Sequence, residues 1–230
     1  MAGPDAHAEL EQLLAEQQRY YRARAATYEY GAPVPESEPQ AEQVIRELEA
    51  AIEAHIRGDV AELACGPGTW TGMLARAADS VTALDGSPEM LRIAAATEPG
   101  PNVRFAEADI FSWRPERRYD CVFFGFWLSH VPEQRFEAFW ETVAEALAPG
   151  GVALFVDDGY RGPEELVYGE SSSVIERRGD DGSPFRIIKV GLTAERLGQR
   201  LSGLGWEVQM HDRDPFFWGI ASRQPDSAPR

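Results

Sequence analysis

The chain has 230 residues, of which 43% are hydrophobic and 26% charged, and its formal net charge is −16 at pH 7. That length suits one large domain with a sizeable buried core. The negative charge disfavours nucleic acids and anionic membranes as partners, so we expect a small-molecule partner, in a monomer or a homodimer.

Cysteine usage and the N-terminal sequence predict a cytoplasmic location. Cys65 and Cys121 have the spacing of neither a disulfide framework nor a zinc site, so we expect free thiols and no metal. The first residues lack the pattern of a signal peptide, and no apolar run approaches the ~18 residues of a membrane span.

Two helices are predicted before residue 56. Apolar and aromatic residues recur at helical spacing from residue 5 to about 30, and Gly31 and three prolines then end the pattern. A second helix is predicted over 39–55. We interpret residues 1–38 as a helical lid, residues 39–222 as the main domain and residues 223–230 as a flexible tail.

From residue 59, short apolar strands alternate with helices. Strands are predicted at 59–64, 80–84, 102–107, 119–124 and 151–156, with helices at 69–78, 87–96 and 133–148. Such alternation predicts an α/β fold, with a parallel sheet covered on both faces.

The alternation of strands and helices ends after residue 158. A turn signal at 179–184 predicts a β-hairpin within a cap insertion, 159–192. A helix at 193–204 and closing strands at 206–211 and 216–222 complete the prediction. Arg177 and Arg178 fall on the hairpin, where a solvated turn is the favoured interpretation.

The turn Ala64-Cys65-Gly66-Pro67-Gly68 follows the first strand and precedes a helix, so backbone N–H groups converge there. Thr71 replaces the last glycine of a dinucleotide fingerprint, and Pro67 removes one N–H group. The turn therefore favours a nucleoside without phosphates. A nicotinamide-dependent oxidoreductase is the alternative.

Acidic residues end the next two strands. Asp85, about 20 residues beyond the turn, is placed to accept hydrogen bonds from both ribose hydroxyls. Asp109 can accept a hydrogen bond from the exocyclic amine of an adenine, and Ile110 can pack on the adenine ring. Together these positions predict a nucleoside site at the carboxyl ends of the strands.

The sequence resembles the class I S-adenosylmethionine-dependent methyltransferases over about residues 40–222. The resemblance is carried by Glu62-x-Ala64-x-Gly66-x-Gly68, Asp85, Ala108-Asp109, Tyr119-Asp120 and Leu147-Ala148-Pro149-Gly150-Gly151. The runs Tyr20–Ala25 and Phe216–Gly219 resemble those of bacterial members of this family that methylate small molecules.

The resemblance implies a Rossmann-like, seven-stranded, mostly parallel sheet with a reversed C-terminal hairpin. It also implies methyl transfer from S-adenosylmethionine to an oxygen or nitrogen of a small molecule, in particular a secondary metabolite. A protein that keeps the cofactor without methylating is a further alternative. The implied cofactor contacts are Glu62, Ala64, Gly66, Asp85, Gly86, Met90, Asp109 and Ile110.

The run Phe126–His130 follows the fourth strand and is expected to face the sulfonium and the acceptor. His130 is the candidate general base, with local packing as the alternative. Trp127 and Asp157 are candidates for contact with the molecule that accepts the methyl group.

Aromatic residues and one arginine complete the predicted cofactor site. Tyr21, Tyr28, Phe126 and Trp127 could surround the sulfonium, because aromatic faces stabilise a cation. Core packing is the alternative, and it is the favoured one for Phe126. Arg24 could pair with the carboxylate of the cofactor.

Overall fold

The structure is a computed structural model that describes residues 4–25, 27 and 41–223. Tyr28, a predicted cofactor contact, lies outside the described residues. The other parts of the chain outside them are residues 1–3, 26, 29–40 and 224–230. Among the described helices, none is both long enough and apolar enough to cross a membrane.

The elements follow the predicted alternation. The helices are α1 (Pro4–Arg24), α2 (Ala41–His55), α3 (Thr71–Ala77), α4 (Pro88–Ala96), α5 (Phe136–Ala146) and α6 (Ala194–Gly203). The strands are β1 (Asp59–Leu63), β2 (Ser80–Asp85), β3 (Val103–Glu107), β4 (Tyr119–Gly125), β5 (Leu147–Asp158), β6 (Val174–Arg178), β7 (Pro184–Ile188), β8 (Trp206–Arg213) and β9 (Phe216–Arg223).

One boundary differs clearly from its prediction. The helix predicted to end at residue 148 ends at Ala146, and the strand predicted to begin at residue 151 begins at Leu147. Gly150 has a φ of +82°, and the register between β4 and β5 shifts between Tyr119 and Cys121. Gly150 and Gly151 therefore allow a β-bulge in β5, and the pairing with β4 continues beyond it.

Seven strands form one sheet in the order β3-β2-β1-β4-β5-β9-β8. The first five are parallel, and β9 pairs antiparallel with both β5 and β8. This confirms the predicted α/β fold with its reversed C-terminal hairpin. Because the strand order reverses between β1 and β4, a crevice opens at their carboxyl ends.

Alternate residues of the central strands enter two cores. On β4, Val122 and Phe124 pack with residues of α5 and α6, whereas Cys121 and Phe123 pack with residues of α2 and α3. Burial on both faces explains why these strands read as continuous apolar runs.

Helix α1 packs against the hairpin of β6 and β7, outside the main sheet. Tyr20 is buried with Ile175 and Ile187, and the Gln17 amide oxygen accepts a 2.9 Å hydrogen bond from the backbone N–H of Ile188. Helix and hairpin therefore form one packed unit. Gln18 connects this unit to the sheet by donating to the backbone oxygen of Gly86 at 3.1 Å.

The turn after β1 is tightly packed against α4. Gly68 has a φ of +87°, and a Cβ atom there would lie 3.0 Å from the Cβ and 3.1 Å from the Cα of Ala94. A residue with a side chain would have to adopt an unfavourable backbone conformation and also displace α4.

Replacing this glycine is expected to destabilise the protein. Gly68→Ala should lower the free energy of unfolding by about 1–3 kcal/mol, because the left-handed backbone and the contact with α4 both oppose a Cβ. Urea unfolding measures the change. Gly203→Ala is the control, since no atom lies within 4 Å of its added Cβ and it ends a helix. Equal stabilities for the two variants would contradict this account.

Candidate active site

A cavity of about 940 Å³ lies between the carboxyl ends of the central strands and the unit formed by α1 and the hairpin. Most of the site residues predicted from the sequence line it. These are Tyr21, Arg24, Ala64, Gly66, Asp85, Gly86, Met90, Asp109, Ile110, Phe126, Trp127 and His130. Glu62 and Asp157 do not line it.

Asp85 holds the turn after β1 in place. Its Oδ2 atom accepts a hydrogen bond from the N–H of Gly66, and its Oδ1 atom accepts one from the N–H of Ser87, both at 2.8 Å. Burial raises the pKa of this carboxyl, and the two N–H donors oppose the rise. Each oxygen has used one of about two lone-pair positions, so the carboxylate can accept two further hydrogen bonds.

The position of Gly66 fits a ligand that approaches the backbone closely. The residue has a φ of +54°, and among the described residues other than its two chain neighbours no atom lies within 4 Å of where its Cβ would be. Ala64 also has a positive φ, +53°, so the turn carries conformational strain where it faces the cavity. Strain of this kind is found where a backbone has to present itself to a ligand.

Glu62 lies behind the turn instead of facing the cavity. Its Oε2 atom accepts a 2.7 Å hydrogen bond from the hydroxyl of Thr71, the first residue of α3. Its buried Oε1 atom has no hydrogen-bond partner among the described residues. Burial raises the pKa of Glu62 to about 8, so the carboxyl is mostly protonated at pH 7.

The residues after β3 form an aromatic end of the cavity. The Asp109 carboxylate accepts from the N–H of Phe111 at 3.1 Å and from the hydroxyl of Ser112 at 2.9 Å, so it shapes its own turn. The ring of Trp127, a predicted acceptor contact, lies 5.3 Å from the ring of Phe111. Arg135 lies over Phe111 and pairs with Glu11 of α1.

Both nitrogens of His130 are engaged by the protein. Nδ1 lies 2.6 Å from the carbonyl oxygen of Ile188, and Nε2 lies 2.9 Å from the hydroxyl of Tyr21. A carbonyl can only accept, so Nδ1 carries the proton and Nε2 accepts from Tyr21. Burial, together with Lys189 and Arg177, holds the pKa of His130 well below its usual range.

Asp157 is placed differently from the prediction. Its fully buried carboxylate accepts hydrogen bonds from the N–H groups of Ser129 and Asp158, at 2.9 and 2.8 Å. It therefore holds the one-turn helix Leu128–His130 in place. The strand alternation explains the difference, since its neighbour Asp158 lines the cavity instead.

Sequence reasoning missed three cations that line the cavity, Arg135, Arg177 and Lys189. The Arg177 side chain is 26% exposed and its Nε atom donates to Glu165 at 2.6 Å, whereas Arg178 is 68% exposed. The prediction of a solvated arginine was therefore wrong for Arg177. Its period-two relation to the buried Ile175 was the signal that could have found it.

Lys189 lies just beyond β7. Its Nζ atom lies 3.0 Å from the hydroxyl of Ser129, 3.0 Å from Asp158 Oδ1 and 3.8 Å from Asp157 Oδ1. Lys189 is the single lysine of the 230-residue sequence, and this was the signal that could have drawn attention to it. Its role could not be inferred from its neighbours in the chain, because its partners come from β5 and from the turn after β4.

Comparisons with known proteins agree with this geometry. The family described as "Methyltransferase domain" matches residues 60–151. Trans-aconitate 2-methyltransferase of Escherichia coli O7:K1 is 34% identical over 113 residues, which are 48% of this chain and 44% of that protein. The chain thus matches less than half the length of this curated relative.

Two solved structures are similar over nearly the whole chain. A DhpI–SAH complex is 40% identical, with a TM-score of 0.78, and the match covers 93% of this chain and 98% of that one. A DhpI–SAM–HEP complex is 41% identical, with a TM-score of 0.79 and coverage of 91% and 97%.

The raised pKa of Glu62 predicts a pH-dependent stability. The unfolded carboxyl ionises near 4.5, whereas the folded one keeps its proton until about pH 8. Glu62 therefore contributes fully to the free energy of unfolding below pH 4.5. This contribution is lost as the pH rises from there toward the folded-state pKa, with a slope of up to about 1.4 kcal/mol per pH unit.

Glu62→Gln should remove this slope in the ligand-free protein. Urea unfolding between pH 5 and pH 8 measures it for the wild type, for Glu62→Gln and for Glu137→Gln, which replaces an exposed acid on α5. The control should keep the slope of the wild type. Parallel curves for the wild type and Glu62→Gln would show that Glu62 ionises normally.

Proposed function

Because the chain belongs to the class I S-adenosylmethionine-dependent methyltransferases, we propose that it methylates an anionic oxygen of a small acidic molecule. The observation that carries this proposal is the pair of cations, Arg177 and Lys189, in the cavity that also contains Gly66 and Asp85. The cofactor, S-adenosylmethionine, supplies an electrophilic methyl group on a positively charged sulfur. A methyl ester is the expected product.

The cofactor half of the cavity is formed by the strand ends. Asp85 keeps one acceptor position on each oxygen, which matches the two hydroxyls of a ribose. Gly66 leaves open space beside the turn. Met90, Asp109 and Ile110 lie where the base is expected, and Glu62 supports the turn from behind.

The acceptor half is formed by the hairpin and α1. Arg177 and Lys189 line this wall, where Arg177 pairs with Glu165 and Lys189 with Asp158. Guanidinium and ammonium groups bind carboxylate and phosphate-like oxygens by charge-assisted hydrogen bonds. An amine without an acidic group would offer these two cations no anion to bind, which disfavours such an amine as the acceptor.

An acceptor that arrives as an anion does not require a general base. This agrees with His130, whose nitrogens are both used within the protein. In this proposal His130 positions the Tyr21 hydroxyl, and its role as a general base stays a prediction. Catalysis then depends on orientation, which can supply most of the acceleration of such a displacement.

Two relatives point to acids or to an unspecified small ligand. The curated relative is named for trans-aconitate, a carboxylic acid, and the DhpI complex contains a ligand named HEP together with SAM. A nicotinamide-dependent oxidoreductase is not favoured, since these relatives are methyltransferases or bind SAM or SAH. A role in secondary metabolism stays a proposal.

Removal of the Asp85 carboxylate should weaken cofactor binding. Asp85→Ala is expected to lose about tenfold or more in affinity for S-adenosylhomocysteine, because charge-assisted hydrogen bonds to the ribose are lost. Calorimetry measures it, with Asp79→Ala, an exposed acid between α3 and β2, as the control. No binding of S-adenosylmethionine or S-adenosylhomocysteine to the wild type would refute the proposed function.

Neutralising Arg177 should affect the acceptor and leave the cofactor unaffected. Transfer of labelled methyl groups to a panel of small carboxylic and phosphonic acids and amines first identifies an acceptor. With that acceptor, Arg177→Gln should raise KM about tenfold or more, with unchanged affinity for S-adenosylhomocysteine.

Arg178→Gln is the matched control for Arg177→Gln, because it removes the same charge from the exposed face of the same strand. It should retain the KM of the wild type. Equal effects of the two variants, or transfer to amines in preference to acids, would contradict the proposed acceptor site.

A further inference from the structure

Asp158 places a negative charge in the wall that is proposed to bind an anion. Its side chain is 17% exposed and the residue lines the cavity. Oδ1 accepts a 2.9 Å hydrogen bond from the backbone N–H of Tyr160 and lies 3.0 Å from Lys189 Nζ. Oδ2 receives no hydrogen bond from any residue that the structure describes.

Neutralising Lys189 does not by itself account for this carboxylate. Lys189 Nζ also donates to the hydroxyl of Ser129 and lies 3.8 Å from Asp157. Asp157 is wholly buried and would remain beside the lysine without its neighbour, although burial raises the pKa of its carboxyl. A second carboxylate weakens the attraction of this wall for an anion, so a plain acid gains nothing from Asp158.

We propose that Asp158 Oδ2 accepts a hydrogen bond from a hydroxyl or ammonium group of the acceptor. The acceptor is then a hydroxy acid or an amino acid, and Asp158 selects it over the corresponding plain acid. This inference rests on the proposed function, because it assumes that Arg177 and Lys189 hold the acidic group.

The geometry also limits where the donor group lies on the acceptor. Lys189 Nζ and Asp158 Oδ1 are 3.0 Å apart, so a molecule that meets both residues presents its anion and its donor close together. Substituents on adjacent carbon atoms satisfy this condition. A donor at the far end of a long chain does not.

The test compares acids that differ only in the donor group. Three triads serve as probes: propionate, lactate and alanine; succinate, malate and aspartate; and methylphosphonate, hydroxymethylphosphonate and aminomethylphosphonate. Their affinities for the protein saturated with S-adenosylhomocysteine are measured by NMR titration, so the readout does not require turnover. The comparison within a triad separates a hydroxyl preference from an ammonium preference.

In at least one triad, the wild type should bind a substituted acid about tenfold more tightly than the plain acid, because a carboxylate accepts the added hydrogen bond. Asp158→Asn should reduce this ratio to about one, while the plain acid binds equally or more tightly. Asp212→Asn removes an exposed charge on β8 and should keep the ratio of the wild type.

The ratio distinguishes selection from a structural role. If Asp158→Asn weakens plain and substituted acids equally, Asp158 only positions Lys189 and the inference is wrong. If plain acids bind the wild type as tightly as substituted ones, the inference fails while the proposed function stands. If no acid binds, the proposed function fails as well. A wild-type ratio of about one in all three triads refutes the inference even if the variant does not fold.

Discussion

The packing of α1 against the β6–β7 hairpin is the contact on which the site depends. Tyr20 is buried in that contact beside Ile175 and Ile187. The next residue, Tyr21, reaches His130, and the hairpin brings Arg177 to the cavity. Without this packing, the strand ends would still form a turn and two acids, but the cavity would have no wall opposite them.

The site combines two kinds of electrostatic environment within one cavity. Asp85 and Asp109 come from the ends of parallel strands, whereas Arg177 and Lys189 come from the inserted hairpin and its exit. Ligand sites at the carboxyl ends of parallel strands are a general property of such sheets. The hairpin is the part that gives this cavity its proposed preference for acids.

Buried polar groups keep the site in place. Asp85 binds the turn to the end of β2, and Asp157 binds the His130 turn to the end of β5. Glu62 connects β1 to the start of α3 through Thr71. Each of these carboxyls receives hydrogen bonds from nearby backbone or hydroxyl donors, which offsets part of the cost of its burial.

The sequence alone determined the fold class and the cofactor, and most of the site residues that it predicted line the cavity. Strand and helix periodicity placed the elements, and the spacing of Gly66, Asp85 and Asp109 predicted the nucleoside half of the site, because local patterns encode strand ends and tight turns. Only the tertiary structure decided that Arg177 faces the cavity, that Asp158 takes the place expected for Asp157, and that the nitrogens of His130 are occupied. The contacts of His130 join segments far apart in the chain, which no local pattern records. Strand alternation relates Arg177 to Ile175 and Asp158 to Asp157, but only the packing of the strands shows which face of each one lines the cavity.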